Sequence, residues 1–169
     1  MKYMTKVLLA LSVAGLVSCS KAAPEATPDP VASTNSAPLV LAPPGVRFSK
    51  IGSTGPAAPQ IKAEADKAKL EKRDVVVYVG AKWCEPCQRF HHAAQEGKLD
   101  NDFPNLNVVE FDLDEDRERV MAAGYSSTYI PLFVVPGPDG RASDKRFEGG
   151  VKGDGAVANL TPKLHALFN

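Results

Sequence analysis

The segment DVVVYVG, Asp74 to Gly80, is an unbroken run of β-branched and aromatic side chains set between a charged residue and a glycine. A strand with one wet face alternates apolar and polar residues. A run without alternation predicts a strand covered on both faces, the interior strand of a sheet with helices above and below. That one element points to the α/β class, in which helices flank a central sheet.

The rest of the chain from Val46 onward supplies the partners such a strand needs. VRFSKI (Val46 to Ile51) reads as a short edge strand, and PQIKAEADKAKLEKR from Pro59 carries Ile61, Ala65 and Ala68 at helical spacing. PCQRFHHAAQEG reads as a helix that begins near Cys84 and ends at Gly97, with Pro86 tolerated in its first turn. NVVEFDL is a second buried strand, and DEDRERVMAAG a helix with acidic residues in its first turn, where the positive end of the helix dipole favours them. PLFVV is a third strand, GPDG a tight turn, KRFEGG a strand returning antiparallel, and Gly155 to Phe168 a closing amphipathic helix. The expected order is β-α-β-α-β-α-β-β-α, a mixed sheet flanked by helices, spanning 46–169.

Between the first buried strand and its helix lies KWCEPC, Lys82 to Cys87. Two cysteines at this spacing can be a redox pair, half of a zinc site, or a structural staple. A staple closing so short a loop removes little entropy from the unfolded chain. A zinc site needs two further ligands, and the three histidines are His91, His92 and His165, the first two pointing in different directions from one helix.

WCEPC between a buried strand and a helix, followed downstream by YIPLFVV and then FEGG, resembles the thioredoxin superfamily, over Val46 to Phe168. The resemblance implies a thioredoxin fold and thiol–disulfide exchange with no cofactor and no metal. It implies that Cys84 is the nucleophile and Cys87 the resolving thiol, with Pro131 as the cis-proline facing them. Ile130 would offer its backbone to a substrate chain, and Trp83, Gly149 and Gly150 would complete the substrate groove. The physical logic is consistent: a cysteine at a helix N-terminus has its thiolate stabilised by free N–H groups and the dipole.

Two residues depart from the pattern. Many relatives place a buried acid six residues before the first cysteine, and Tyr78 stands there. Glu110, a charged residue inside the apolar NVVEFDL, is the substitute expected to accept the proton of Cys87, with His91 a further possibility on the helical face of Cys87. Glu85, between the cysteines, places a negative charge beside Cys84 and thereby favours a reducing dithiol.

The N-terminal part speaks of location. Lys2 and Lys6 precede VLLALSVAGLV, an apolar run too short to span a bilayer but suited to an export signal. LVSC, Leu16 to Cys19, resembles the lipobox of bacterial lipoproteins, which implies a signal peptide over 1–18 and a lipidated Cys19. Lipidation would remove the odd member of three cysteines. Ser20 then implies the outer membrane in a Gram-negative host, and 19–45, rich in Ala, Pro, Ser and Thr, reads as a flexible tether.

The expected protein is therefore a membrane-tethered disulfide reductase of envelope proteins, fed by an unidentified membrane thiol donor and monomeric. The rivals are a non-enzymatic binding module, a copper-handling protein, and a thiol reductase of apocytochrome c. With 20 Lys and Arg against 20 Asp and Glu, no net field draws the chain to nucleic acid.

Overall fold

The computed structural model describes residues 43–169. The signal segment 1–18, Cys19, Ser20 and all but the last three residues of the expected tether lie outside the described residues. Of those three, Gly45 already belongs to the sheet.

The elements run β1 (Gly45–Lys50), α1 (Ala57–Leu70), β2 (Asp74–Gly80), α2 (Glu85–Gln95), β3 (Asn105–Asp112), α3 (Leu113–Ala122), β4 (Leu132–Pro136), β5 (Ala142–Glu148) and α4 (Ala156–His165). The five strands form one sheet in the order β1-β3-β2-β4-β5. β1 and β2 run parallel to β3, whereas β4 runs antiparallel to both β2 and β5. This is the mixed sheet with flanking helices of the thioredoxin fold.

The valine run behaves as its composition demands. Val76 and Tyr78 point to a core shared with Phe90 of α2 and Leu160 and Leu164 of α4. Val77 and Val79 point the other way, to a core with Ile61 of α1 and Val120 of α3. Successive residues of a strand face opposite sides, so one apolar sequence feeds two cores.

Boundaries differ from expectation in two instructive places. α1 opens two residues before Pro59, because a proline in the first turn lacks only an N–H that has no helical partner there. β5 starts at Ala142 rather than Lys145. Its first residues, ASD, look like loop, yet β5 is an edge strand, where polar residues are accommodated and the Ser143 hydroxyl donates to Val135 O at 2.6 Å.

Polar groups also bind β1 into place. Asn107, fully buried on β3, accepts from Arg47 Nε (2.9 Å) and Ser49 Oγ (2.8 Å), and its amide donates to Glu64 of α1 at 3.2 Å. The Arg73 guanidinium, just before β2, donates to Pro43 O (3.2 Å), Leu106 O (2.8 Å) and Gly45 O.

Candidate active site

The strand-to-helix junction after β2 carries the chemistry. Gly80 closes the strand where a Cβ would collide with the Tyr78 ring, and Ala81 is buried beneath the turn. Cys84 then caps α2, its N–H donating to Ala81 O at 3.1 Å and its carbonyl accepting from Gln88 N at 3.1 Å. Glu85 and Pro86 fill the first turn, as a helix start tolerates. Cys84 and Cys87 are joined in a disulfide with a Cα–Cα separation of 5.2 Å. Both are buried, Cys84 at 5% and Cys87 at 2% exposure, and the position of Cys84 at the helix start places the positive end of the dipole on its sulfur.

The Ile130–Pro131 peptide is cis. Pro131 is buried, and its carbonyl accepts the Gly149 N–H at 2.8 Å. Ile130 packs against the core cluster that contains both cysteines. Gly149 has φ +73°, a left-handed conformation that suits glycine, and a Cβ on Gly150 would sit 3.1 Å from Leu160 and 3.4 Å from Pro86. The two glycines thus have packing reasons of their own, and they bring the end of β5 against the first turn of α2. Trp83 lies 65% exposed, its ring N–H donating to Asp114 Oδ2 at 2.8 Å, so a large apolar face is pinned open. Two neighbours in sequence of the expected groove, Tyr129 and Val151, are also largely exposed. Sequence reasoning passed over both, although they stand directly beside Ile130 and Gly150.

Glu85 does not stand alone. It pairs with Arg89 four residues on and accepts the Gly153 N–H on both oxygens (3.2 and 3.1 Å), and Arg89 reaches Asp154 at 2.7 Å. The Arg89 hydrogen bond holds the Glu85 carboxyl below its ordinary value, aided by the Gly153 N–H, so the group stays ionised. Part of its field at Cys84 is nonetheless offset by Arg89.

Tyr78, in the position where an acid was missed, is buried against Phe90 and Phe133. Burial first, then the charges of Glu110 and Asp112, push its phenol far above the ordinary value, so it accepts no proton from a thiol. Glu110 lies directly across from Tyr78 in the β2–β3 register. Its Oε1 is 3.0 Å from His91 Nε2, and both side chains are about one-fifth exposed (22% and 21%). Cys87, Tyr78, His91 and Glu110 line one cavity of about 440 Å³. His92 also reaches that cavity from its exposed place on α2, while His165 lies against Phe103 and Asp102 instead. Among the described residues no cluster of three or more His, Cys, Asp or Glu has the geometry of a metal site.

The hydrogen bond from His91, outweighing desolvation, lowers the Glu110 carboxyl below 4.5. A depressed carboxyl stabilises the fold fully above the unfolded value, and that contribution is lost as pH falls below about 4.5 and through the folded value. Urea unfolding at pH 6 and pH 3 should therefore show a smaller acid loss in Glu110→Gln than in the unaltered protein. An equal loss in both would mean that the Glu110–His91 bond contributes nothing to acid sensitivity.

A redox-active cysteine pair at a helix start, beside a cis-proline and an apolar rim, is the arrangement of a thiol–disulfide oxidoreductase. The described residues include no helix long and apolar enough to cross a membrane. Among solved structures the chain is similar to thioredoxin O1 of Arabidopsis thaliana, with 18% identity over 74% of this chain and 99% of that one (TM-score 0.46). It is also similar to Trichomonas vaginalis thioredoxin (18% identity, 73% and 95%, TM-score 0.44) and Fasciola hepatica thioredoxin (31% identity, 62% and 91%, TM-score 0.39). No curated protein matches it. The family model described as Thioredoxin matches residues 59–161, more than half of the chain, and by that match the protein belongs to the thioredoxin family.

Proposed function

We propose that this protein is an extracytoplasmic disulfide reductase, held to a membrane by lipid on Cys19 and acting on disulfide-containing envelope proteins. The observation that carries the redox reading is the Cys84–Cys87 disulfide at the start of α2, beside the exposed Trp83 ring and the cis Ile130–Pro131 bond. In the dithiol form the Cys84 thiolate attacks a substrate disulfide, forming a mixed disulfide and releasing one substrate thiol. Cys87 then attacks Cys84 Sγ, restoring the internal disulfide and releasing the second thiol. A substrate strand lies along Ile130 by main-chain hydrogen bonding, as extended peptides add to exposed edges. Trp83, Gly149 and Gly150 border that groove, and Glu110 contributes to the proton-accepting side of Cys87. An external thiol donor at the membrane returns the pair to the dithiol.

The reducing direction rests on Glu85, which stays ionised within the motif and opposes thiolate formation at Cys84. Equilibration with glutathione buffers tests it. The expected reduction potential is nearer the −270 mV typical of thioredoxin than the roughly −120 mV of strong oxidants. A value near the latter would reverse the direction and leave the exchange chemistry in place.

A further inference from the structure

The cavity of about 440 Å³ behind α2 is lined by Cys87 but not by Cys84, Trp83, Ile130 or Pro131. It is a second approach to the buried thiol, separate from the apolar rim, and polar enough and large enough to hold water. Cys87 and His91 are four residues apart on α2 and so share a face of the helix.

The His91 ring is held on three sides. It stacks on Phe48 of β1 (4.3 Å between centroids, 17° between planes) and meets Tyr78 of β2 edge-on (5.3 Å, 66°). Its Nε2 is bonded to Glu110 of β3. A neutral imidazole that donates from Nε2 to a carboxylate keeps its lone pair on Nδ1.

The other ionisable groups around the cavity are poor partners for a thiol proton. Lys50 of β1 and Lys82 of the turn are cations. Tyr78 stays a phenol, and Glu110 is made a weaker base by the hydrogen bond that it accepts. At the β3–α3 end, Asp112 and Glu115 are paired with Lys82 at 3.8 and 2.7 Å, and Asp116 with Arg119. His92, the next residue of α2, is exposed and lacks such a frame. Imidazole is the side chain whose charge changes nearest neutrality, and His91 is the one that the fold fixes beside Cys87.

We propose that His91 is the proton acceptor of Cys87, acting through water in this cavity, and that Glu110 is a positioning residue that sets the ring and balances its charge. The proposal rests on the thiol–disulfide reading above. With substrate sulfur bonded to Cys84, the Cys87 S–H proton passes through water to His91 Nδ1. The Cys87 thiolate attacks Cys84 Sγ, so the Cys84–Cys87 bond forms and the Cys84–substrate bond breaks. The departing substrate thiolate takes a proton from solvent, and the imidazolium returns its proton to solvent through the cavity. Two electrons leave the dithiol and two enter the substrate disulfide.

Stopped-flow mixing of the reduced full chain with a fluorogenic peptide disulfide, from pH 5 to pH 10, separates release of the first thiol from release of the second. His91→Gln should slow the second release by about 10- to 100-fold at pH 7 and leave the first within about twofold. The pH profile of the second phase should change with it, leaving a rate that climbs only with the thiol's own ionisation. Glu110→Gln should also slow the second phase, but by less than His91→Gln, since it removes the anchor of the ring and not the acceptor itself.

An unchanged second phase and pH profile in His91→Gln overturns the proposal. In the unaltered protein, the NMR ring resonances of His91 at a fixed pH should also differ between the disulfide and dithiol forms while those of His165, which lies away from the cavity, do not. Identical His91 ring resonances in the two forms overturn the proposal without any variant. If no first thiol is released at any pH, the exchange reading fails and the relay falls with it, an outcome distinct from a missing second-phase effect.

Discussion

Cys87→Ala protein, reduced and mixed with envelope extract, should accumulate mixed disulfides on Cys84 that dithiothreitol releases. The structure gives the reason. Cys87 is 2% exposed and one helical turn inside the nucleophile, so its removal leaves attack at Cys84 open but takes away the sulfur that resolves the intermediate. Cys84→Ser should form no such adducts, and its peptide-disulfide reduction should fall by at least about 10³-fold, toward uncatalysed exchange, as loss of a covalent nucleophile does elsewhere. Mass spectrometry of the adducts reports both the trapping cysteine and the proteins attached. A non-enzymatic binding module would give equal, unspecific labelling in both variants, and that result would remove the enzyme reading.

Phe133→Ala should destabilise the protein by about 3 to 5 kcal/mol, the range for removing a large aromatic side chain from a packed core. Phe133 is fully buried on β4, and its ring meets Phe90 (4.9 Å), Tyr78 (5.2 Å) and Phe147 (4.9 Å). Those partners come from α2, β2 and β5, so the resulting cavity cannot close by movement of one element. Against a total stability of about 5 to 15 kcal/mol such a loss is a large fraction. Urea unfolding should show a lower midpoint at an unchanged slope. Leu70→Ala, at a side chain 74% exposed, should stay within about 0.5 kcal/mol and serves as the control. A loss below about 1 kcal/mol for Phe133→Ala would show that the cluster refills itself.

The order of elements was legible because its signals are local. DVVVYVG carries its own double burial in its composition, and WCEPC marks the strand-to-helix junction with a proline that suits a first turn. The adjacency of Tyr78 and Glu110 was also within reach, since Tyr78 stands where relatives keep an acid and Glu110 is the one charge inside the other buried run, NVVEFDL, before its closing Asp112. What stayed hidden depends on pairings through space. That Arg89 and the Gly153 N–H share the charge of Glu85 joins residues up to 68 positions apart, and no spacing in the sequence announces it. The same holds for Asn107, a polar residue that a strand interior would reject were Arg47, Ser49 and Glu64 not brought around it. His91 is the middle case: its helical face follows from its offset to Cys87, but its bond to Glu110 needs β3 in place.

Arg73 has a mechanical meaning for a chain whose first 42 residues precede the described fold. Its guanidinium holds the carbonyls of Pro43 and Gly45, at the first described residues, and that of Leu106 on the neighbouring strand. Tension arriving from the N-terminal side therefore meets a charged three-point fastening before it reaches the ladder of β1. β3 stands between that edge and β2, so a pull on the first described residues is taken up at the margin of the sheet, one strand short of the strand that delivers the cysteines.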